Sequence, residues 1–201
     1  MQNIDQVFPG IFVWQMYDKT VKADLFSTAL ETASGTHLVD PIPLDEESLL
    51  GLAQRKVRGI WVTNVNHARA TADFARTFSV PVYVHHDLRG HGDFPNATGI
   101  SDGEGPVEGV TGIAIDGGPK GEMALHYKAS GGTMVIGDAL INFEPYEFGF
   151  LPAKYCLDAR LMRRSLGKLL DYAFDRMFFA HGTPILSGAR ARVEQLLATS
   201  R

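Results

Sequence analysis

The stretch Gly59-Ile60-Trp61-Val62-Thr63-Asn64-Val65-Asn66-His67-Ala68-Arg69 changes character at Thr63, and its reading decides the fold. Gly59 to Thr63 is apolar and rich in β-formers, as a buried strand requires. His67 to Phe78 then places alanines and phenylalanines on one helical face, and Val80-Pro81-Val82-Tyr83-Val84 is again a strand. The polar loop is therefore the strand-to-helix turn of a β-α-β unit.

Toward the N-terminus, Ile11-Phe12-Val13-Trp14, Ala23 to Thr32 and His37-Leu38-Val39 read as strands of an antiparallel meander. Asp45 to Gln54 follows as a helix with acidic residues in its first turn. Toward the C-terminus, His86 to Pro106 fills with Gly, Asp, Pro and Asn and reads as a surface excursion. Strands are predicted at Thr111 to Ile115, Met123 to Ala129 and Thr133 to Ile136. A long amphipathic helix at Leu157 to Phe174, a strand at Arg176 to Ala180 and a closing helix at Gly188 to Leu197 complete the chain. The plan of each half suits two sheets face to face with helices outside, and the periodicity alone also permits a two-layer α/β domain.

With 201 residues and 45% hydrophobic content, the expectation is a single domain spanning 1-201. The net charge of −4 comes from mixed acidic and basic residues, so no basic stripe exists to track a phosphate backbone. Nucleic acid and anionic membrane are accordingly not expected as partners. Cys156 is the only cysteine, the start Met1-Gln2-Asn3-Ile4-Asp5 lacks the basic and apolar regions of a leader, and no apolar run nears the roughly 18 residues of a membrane span. The expected setting is reducing and cytoplasmic. There is no Gly-x-Ser-x-Gly elbow, no phosphate-binding Gly-x-x-x-x-Gly-Lys-Ser/Thr loop and no cysteine pair; Cys156 reads as a buried thiol.

Four further segments bear on chemistry. Leu38-Val39-Asp40-Pro41 is a strand ending in Asp, and Gly117-Gly118-Pro119-Lys120-Gly121 precedes a hairpin. Val135-Ile136-Gly137-Asp138-Ala139-Leu140 is a strand ending Gly-Asp, and Phe178-Phe179-Ala180-His181-Gly182-Thr183-Pro184-Ile185 is a strand running into a His-Gly loop behind the helix of Ser165-Leu166-Gly167-Lys168-Leu169-Leu170. In order and spacing these segments, with Thr63 to Arg69, resemble the metallo-β-lactamase superfamily over nearly the whole chain. That superfamily carries Thr-His-x-His-x-Asp-His, Gly-His-Thr-Pro-Gly, Gly-Asp and Gly-His-Gly at the same places. The resemblance implies an α+β fold, a four-layer αββα sandwich of two mixed β-sheets with outer helices.

It also implies seven ligand positions around one or two divalent metals, usually zinc or iron, which lower the pKa of a bound water and polarise the substrate. These align with Asn64, Asn66, Ala68, Arg69, Gly118, Asp138 and His181, so five of seven have changed and only Asp138 and His181 keep ligand chemistry. Ala68 and Gly118 remove donors, while Asn64 and Asn66 keep amide oxygens that bind transition metals weakly. Arg69 brings a permanent charge to the place of a second metal, and an Arg69–Asp138 ion pair is expected.

Each residue has a plainer reading. Asp138 after a glycine is also a turn former, His181 also an ordinary loop residue, and His67 is either a substitute base or, as preferred, a helix-start residue. His85, His86, Asp87, His91 and Asp93 form the most metal-like run, but match no common zinc spacing and read as a solvated loop. Phe143, Tyr146, Phe148, Phe150 and Tyr155 could cover the pocket, form a self-association surface or pack as core.

Two functions follow. The first is a pseudo-enzyme with a degenerate metal site and no cofactor, whose pocket of Asn64, Asn66, His67, Arg69, Asp138 and His181 holds a small anionic ligand clasped by Arg69, or supports a homo-oligomer. The second is a hydrolase that has rebuilt a one-metal or metal-free site from Asp138 and His181, with His67 or the His85-His86 cluster; zinc or iron would be its metal. The first is preferred on sequence, and no residue is assigned a catalytic role.

Overall fold

Short β-branched and aromatic runs joined by tight turns make the first half an antiparallel meander. In the computed structural model, which describes residues 3–143 and 147–199, β1 (Asp5–Phe8), β2 (Ile11–Asp18), β3 (Ala23–Thr32) and β4 (Gly35–Val39) pair antiparallel. β5 (Val57–Val62), β6 (Val82–His85) and β7 (Thr98–Ile100) extend the same sheet in parallel. Parallel neighbours need crossovers. α1 (Glu46–Ala53), capped by Asp45 Oδ1 accepting from the Ser48 N–H at 2.9 Å, provides one, and α2 (Thr71–Phe78) the next.

The second sheet holds β8 (Val110–Ala114), β9 (Met123–Tyr127) and β10 (Thr133–Ile136). After a hairpin of β11 (Leu140–Phe143) and β12 (Glu147–Phe150), and after α3 (Ala159–Ser165), β13 (Arg176–Phe179) joins β10 in parallel, giving the order β13-β10-β9-β8. α4 (Ala189–Thr199) closes the chain.

Alternation along the strands sorts the core into layers. Trp61, Val39 and Phe26 of the first sheet meet Val135, Leu125 and Phe178 of the second. Ile60 and Val62 turn the other way, onto Leu52 of α1 and Phe74 of α2. Met177 and Phe179 likewise turn onto Met162 of α3 and Val193 of α4. The result is the expected αββα sandwich of two mixed sheets.

Some local expectations need correction. Residues 86–106 are not simply a surface excursion: Leu88, Phe94 and Ile100 are buried, and β7 pairs with β6. Their apolar residues are too sparse to stand out from the surrounding glycine and aspartate. The single helix expected over 157–174 is α3 followed by a 3-10 segment, Leu166–Asp171. The helix expected from His67 begins only at Thr71, preceded by a 3-10 turn at Val65–His67. In the aromatic segment, Phe148 and Phe150 pack against the α3–α4 side of the core; Tyr146 lies outside the described residues. No helix among the described residues is long and apolar enough to cross a membrane.

Candidate active site

Two parallel strand pairs, one in each sheet, end at the same place. β4 and β5 run into Asp40 and Thr63, and β10 and β13 run into Asp138 and His181. Backbone bonds stitch the sheets together there: Met123 N–H to Thr63 O at 2.7 Å, Val65 N–H to Lys120 O at 3.1 Å and Phe26 N–H to Ala180 O at 2.9 Å. Asp40 (φ 48°) and Arg69 (φ 39°) adopt left-handed backbone, a conformation that costs a non-glycine residue of order 1–3 kcal/mol and is concentrated at functional sites.

His67 lies at the centre. Its Nδ1 stands 3.0 Å from Asp40 Oδ2 and 2.8 Å from Thr63 Oγ1, and Thr63 in turn donates to Asp40 through both its hydroxyl (2.6 Å) and its N–H (2.8 Å). Its Nε2 is 3.2 Å from Asp138 Oδ1, off the line that a hydrogen bond needs, and is a buried atom without a hydrogen-bond partner. His181 brings its Nε2 within 3.4 Å of the same Asp138 oxygen. The other Asp138 oxygen accepts from Asn64 Nδ2 at 3.0 Å. His67, Asp138 and His181 each offer a ligand atom, and these atoms all lie within 4.8 Å of one another.

Charge is balanced by close pairing. Burial alone would lower the His67 pKa, but the Asp138 and Asp40 carboxylates outweigh it and lift it to about 9. Burial acts to raise both carboxylates, yet His67 in particular holds Asp138 and Asp40 below the usual carboxylate range. His181 is pushed down to about 4 by burial, against the pull of Asp138. Two imidazoles in one cleft thus differ in charge at neutral pH.

The predicted site residues divide. His67, Asp138 and His181 converge, with Asn66 and Arg69, on a cleft of about 850 Å³ whose walls are Val21 and Leu25 on one side and Ile141, Phe143, Leu151 and Tyr155 on the other. Asn64 is fully buried beneath it. His67 thus lines the cleft beside Asp138 and His181, in the 3-10 turn ahead of α2. Arg69 forms no ion pair with Asp138: its guanidinium donates to the carbonyls of Phe26 (2.7 Å), Asp40 (3.0 Å) and Ala180 (3.4 Å), because the left-handed turn at Arg69 aims it at the sheet ends. In the His85-His86-Asp87 run, His85 is buried, whereas His86 and Asp87 are exposed with Nε2 to Oδ1 at 3.1 Å.

Glu122 escaped the sequence reading. It is buried, accepts from Asn64 Nδ2 at 2.7 Å and from Ala139 N–H at 2.9 Å, and burial followed by the Asp138 charge pushes it up to about 8. A lone acid between Gly121 and the apolar run Met123 to Leu125 was its only signal.

No family model matches the chain, and no curated protein matches it. Solved structures do. DIM-1 metallo-β-lactamase superposes on 100% of this chain and 98% of its own length with a TM-score of 0.77 at 14% identity. A metallo-β-lactamase from Pontibacter korlensis covers 100% of both chains with a TM-score of 0.76 at 12% identity. TTHA1623, in a di-iron-bound form, covers 89% of this chain and 97% of its own with a TM-score of 0.63 at 20% identity. Agreement over full length at so little identity is agreement of architecture, and by that measure this chain has the metallo-β-lactamase fold.

Proposed function

We propose that the cleft is a hydrolytic site built on one divalent transition-metal ion held by His67 Nε2, His181 Nε2 and Asp138 Oδ1. The observation that carries this reading is that the three donors converge and that two of them are oriented from behind: His67 by Asp40 and Thr63, Asp138 by Asn64. Metal-binding imidazoles are characteristically steered by a carboxylate or carbonyl on the second ring nitrogen. The buried Nε2 of His67 makes no hydrogen bond and stands 3.2 Å from the Asp138 carboxylate, which suits an atom that would share a cation with it. The two-metal arrangement of the di-iron TTHA1623 does not fit, because Asn64 Nδ2, a donor, faces the carboxylates where a second cation would need an acceptor.

A bound metal would supply a water of lowered pKa and polarise a substrate carbonyl. Asp40 holds His67 in the tautomer with Nε2 toward the cleft, and apolar side chains line part of its wall. Displacing the His67 proton at pH 7 costs about 3 kcal/mol for a pKa of about 9, against the roughly 10–16 kcal/mol of zinc binding in structural sites.

Expression with zinc, iron and manganese supplied, purification without chelator or nickel, and elemental mass spectrometry give the test. About one metal per chain, absent from an Asp138→Ala, His181→Ala variant, is expected; ester, thioester and lactam hydrolysis would then be assayed. Metal far below one per chain sinks the proposal.

One observation favours the non-catalytic reading. With His67 protonated, it and Arg69 balance Asp40 and Asp138 without any metal. A small anion would then meet Lys22 at the β2–β3 turn, since the Arg69 fork is committed to carbonyls. Anions that raise the melting temperature of metal-free protein but not of Lys22→Ala would support it.

A further inference from the structure

Glu122 immediately precedes β9 and is 3% exposed, so its side chain needs room inside the molecule. Two glycines provide it. A Cβ at Gly118 would stand 2.9 Å from Glu122 Cβ and Cγ, and one at Gly137 would stand 2.8 Å from Glu122 Oε1. Both separations are shorter than real Cβ contacts, so a side chain at Gly118 would displace Glu122, and one at Gly137 would displace Glu122 and Thr63, whose Oγ1 would stand at 2.6 Å.

Both carboxyl oxygens are used, Oε2 by Asn64 Nδ2 and Oε1 by Ala139 N–H. The same Asn64 nitrogen donates to Asp138 Oδ2, and Asn64 Oδ1 accepts from Asn66 N–H at 2.8 Å, which fixes the way the amide faces. A continuous line from Glu122 through Asn64 therefore sets the plane of Asp138 and leaves Oδ1 toward the two imidazoles. The space beside Asp138 is filled by the Glu122 carboxyl group, whose oxygens are taken up by Asn64 Nδ2 and Ala139 N–H, and those N–H donors oppose a cation there.

We propose that Glu122 is a positioning residue that orients Asp138 through Asn64 and fills the adjoining space, so that the cleft takes one cation and not two. This rests on the single-metal reading above. Glu122→Gln keeps the shape but introduces N–H donors: whichever way the new amide turns, an N–H opposes either Asn64 Nδ2 or Ala139 N–H. Partners that orient ligands are typically worth about 10–100-fold in metal affinity.

Cobalt(II) titrated into metal-free wild type, Glu122→Gln and Glu122→Asp tests this, together with imidazole ¹⁵N spectra of the metal-free proteins. Expected are one cobalt per wild-type chain and at least about tenfold weaker binding by Glu122→Gln. Glu122→Asp, which retains two acceptor oxygens, should keep more affinity. In metal-free Glu122→Gln the His67 and His181 ring-nitrogen signals should move while backbone signals remote from the cleft stay in place. Two cobalt ions per wild-type chain would overturn the inference, as would a Glu122→Gln variant matching wild type in ring-nitrogen signals. Should Glu122→Gln fail to fold, Glu122→Met, which removes both acceptor oxygens, decides by the same spectra: unmoved ring nitrogens overturn the proposal. A wild type that takes up no cobalt sinks the single-metal reading, and the ring-nitrogen comparison still decides the role of Glu122.

Discussion

Two regions of this molecule gather imidazoles and carboxylates, and they do so differently. His85, His86 and Asp87 are consecutive in the chain, with His86 and Asp87 exposed. His67, Asp138 and His181 come from three distant segments, and Asp138 and His67 are buried. In the first region Asp87 N–H is directed at His85 Nδ1 at 3.3 Å, so one of its few buried donors is occupied by its own loop. In the second, Asp40 and Asn64 hold His67 and Asp138 from outside the cluster, and the facing atoms meet one another at Asp138 Oδ1, 3.2 Å from His67 Nε2 and 3.4 Å from His181 Nε2. The proposed metal site rests on convergence and orientation, and proximity in sequence is a poor guide to either.

Removing His67 should have the largest effect. His67→Ala leaves Asp40 and Asp138 as buried carboxylates without their shared cation, which should cost about 3–5 kcal/mol in urea unfolding, while His85→Ala should cost less. Equal losses in the two variants would erase the contrast. Next is metal uptake: Asp138→Ala should abolish stoichiometric binding, and Asp87→Ala should leave metal per chain unchanged. If Asp87→Ala also empties the protein, the contiguous cluster is the metal site.

A pH prediction sharpens the electrostatic half of the contrast. The His67 pKa is raised to about 9 from an ordinary 6.5, so its contribution is fully present below about pH 6.5 and is lost as pH rises through about 9. Unfolding free energies of metal-free protein should fall by about 3 kcal/mol across that window, and a flat profile there would refute the imidazolium between two carboxylates. His181, depressed to about 4, acts oppositely: its contribution is lost as pH falls through that value. The smallest effect belongs to His86→Ala, expected within about 0.5 kcal/mol of wild type because the side chain is exposed.

Much of the site was legible. Asp138 and His181 stand at strand ends where the resemblance placed ligands, and the loop from Thr63 to Arg69 does open beside them. His67 was undervalued because it occupies a spacer position in the superfamily's motif, and only packing brings a spacer between Asp40 and Asp138. Arg69 was paired with Asp138 on charge alone; a left-handed backbone sends it to carbonyls instead. Glu122 offered no motif at all.

By itself the sequence determined most of the strands and helices and their order, while the four layers and the expectation of an incomplete ligand set came from the resemblance that its Gly-Asp and His-Gly turns carry. Those are properties of local pattern, which side-chain alternation carries along each strand. Only the tertiary structure decided which polar groups meet. Asp40, Glu122, His67, Asp138 and His181 are brought together by two parallel strand pairs ending at one level in facing sheets. Hydrogen bonds of about 3 Å between residues tens of positions apart have no signature in the order of residues, because distance and angle fix them and sequence separation does not.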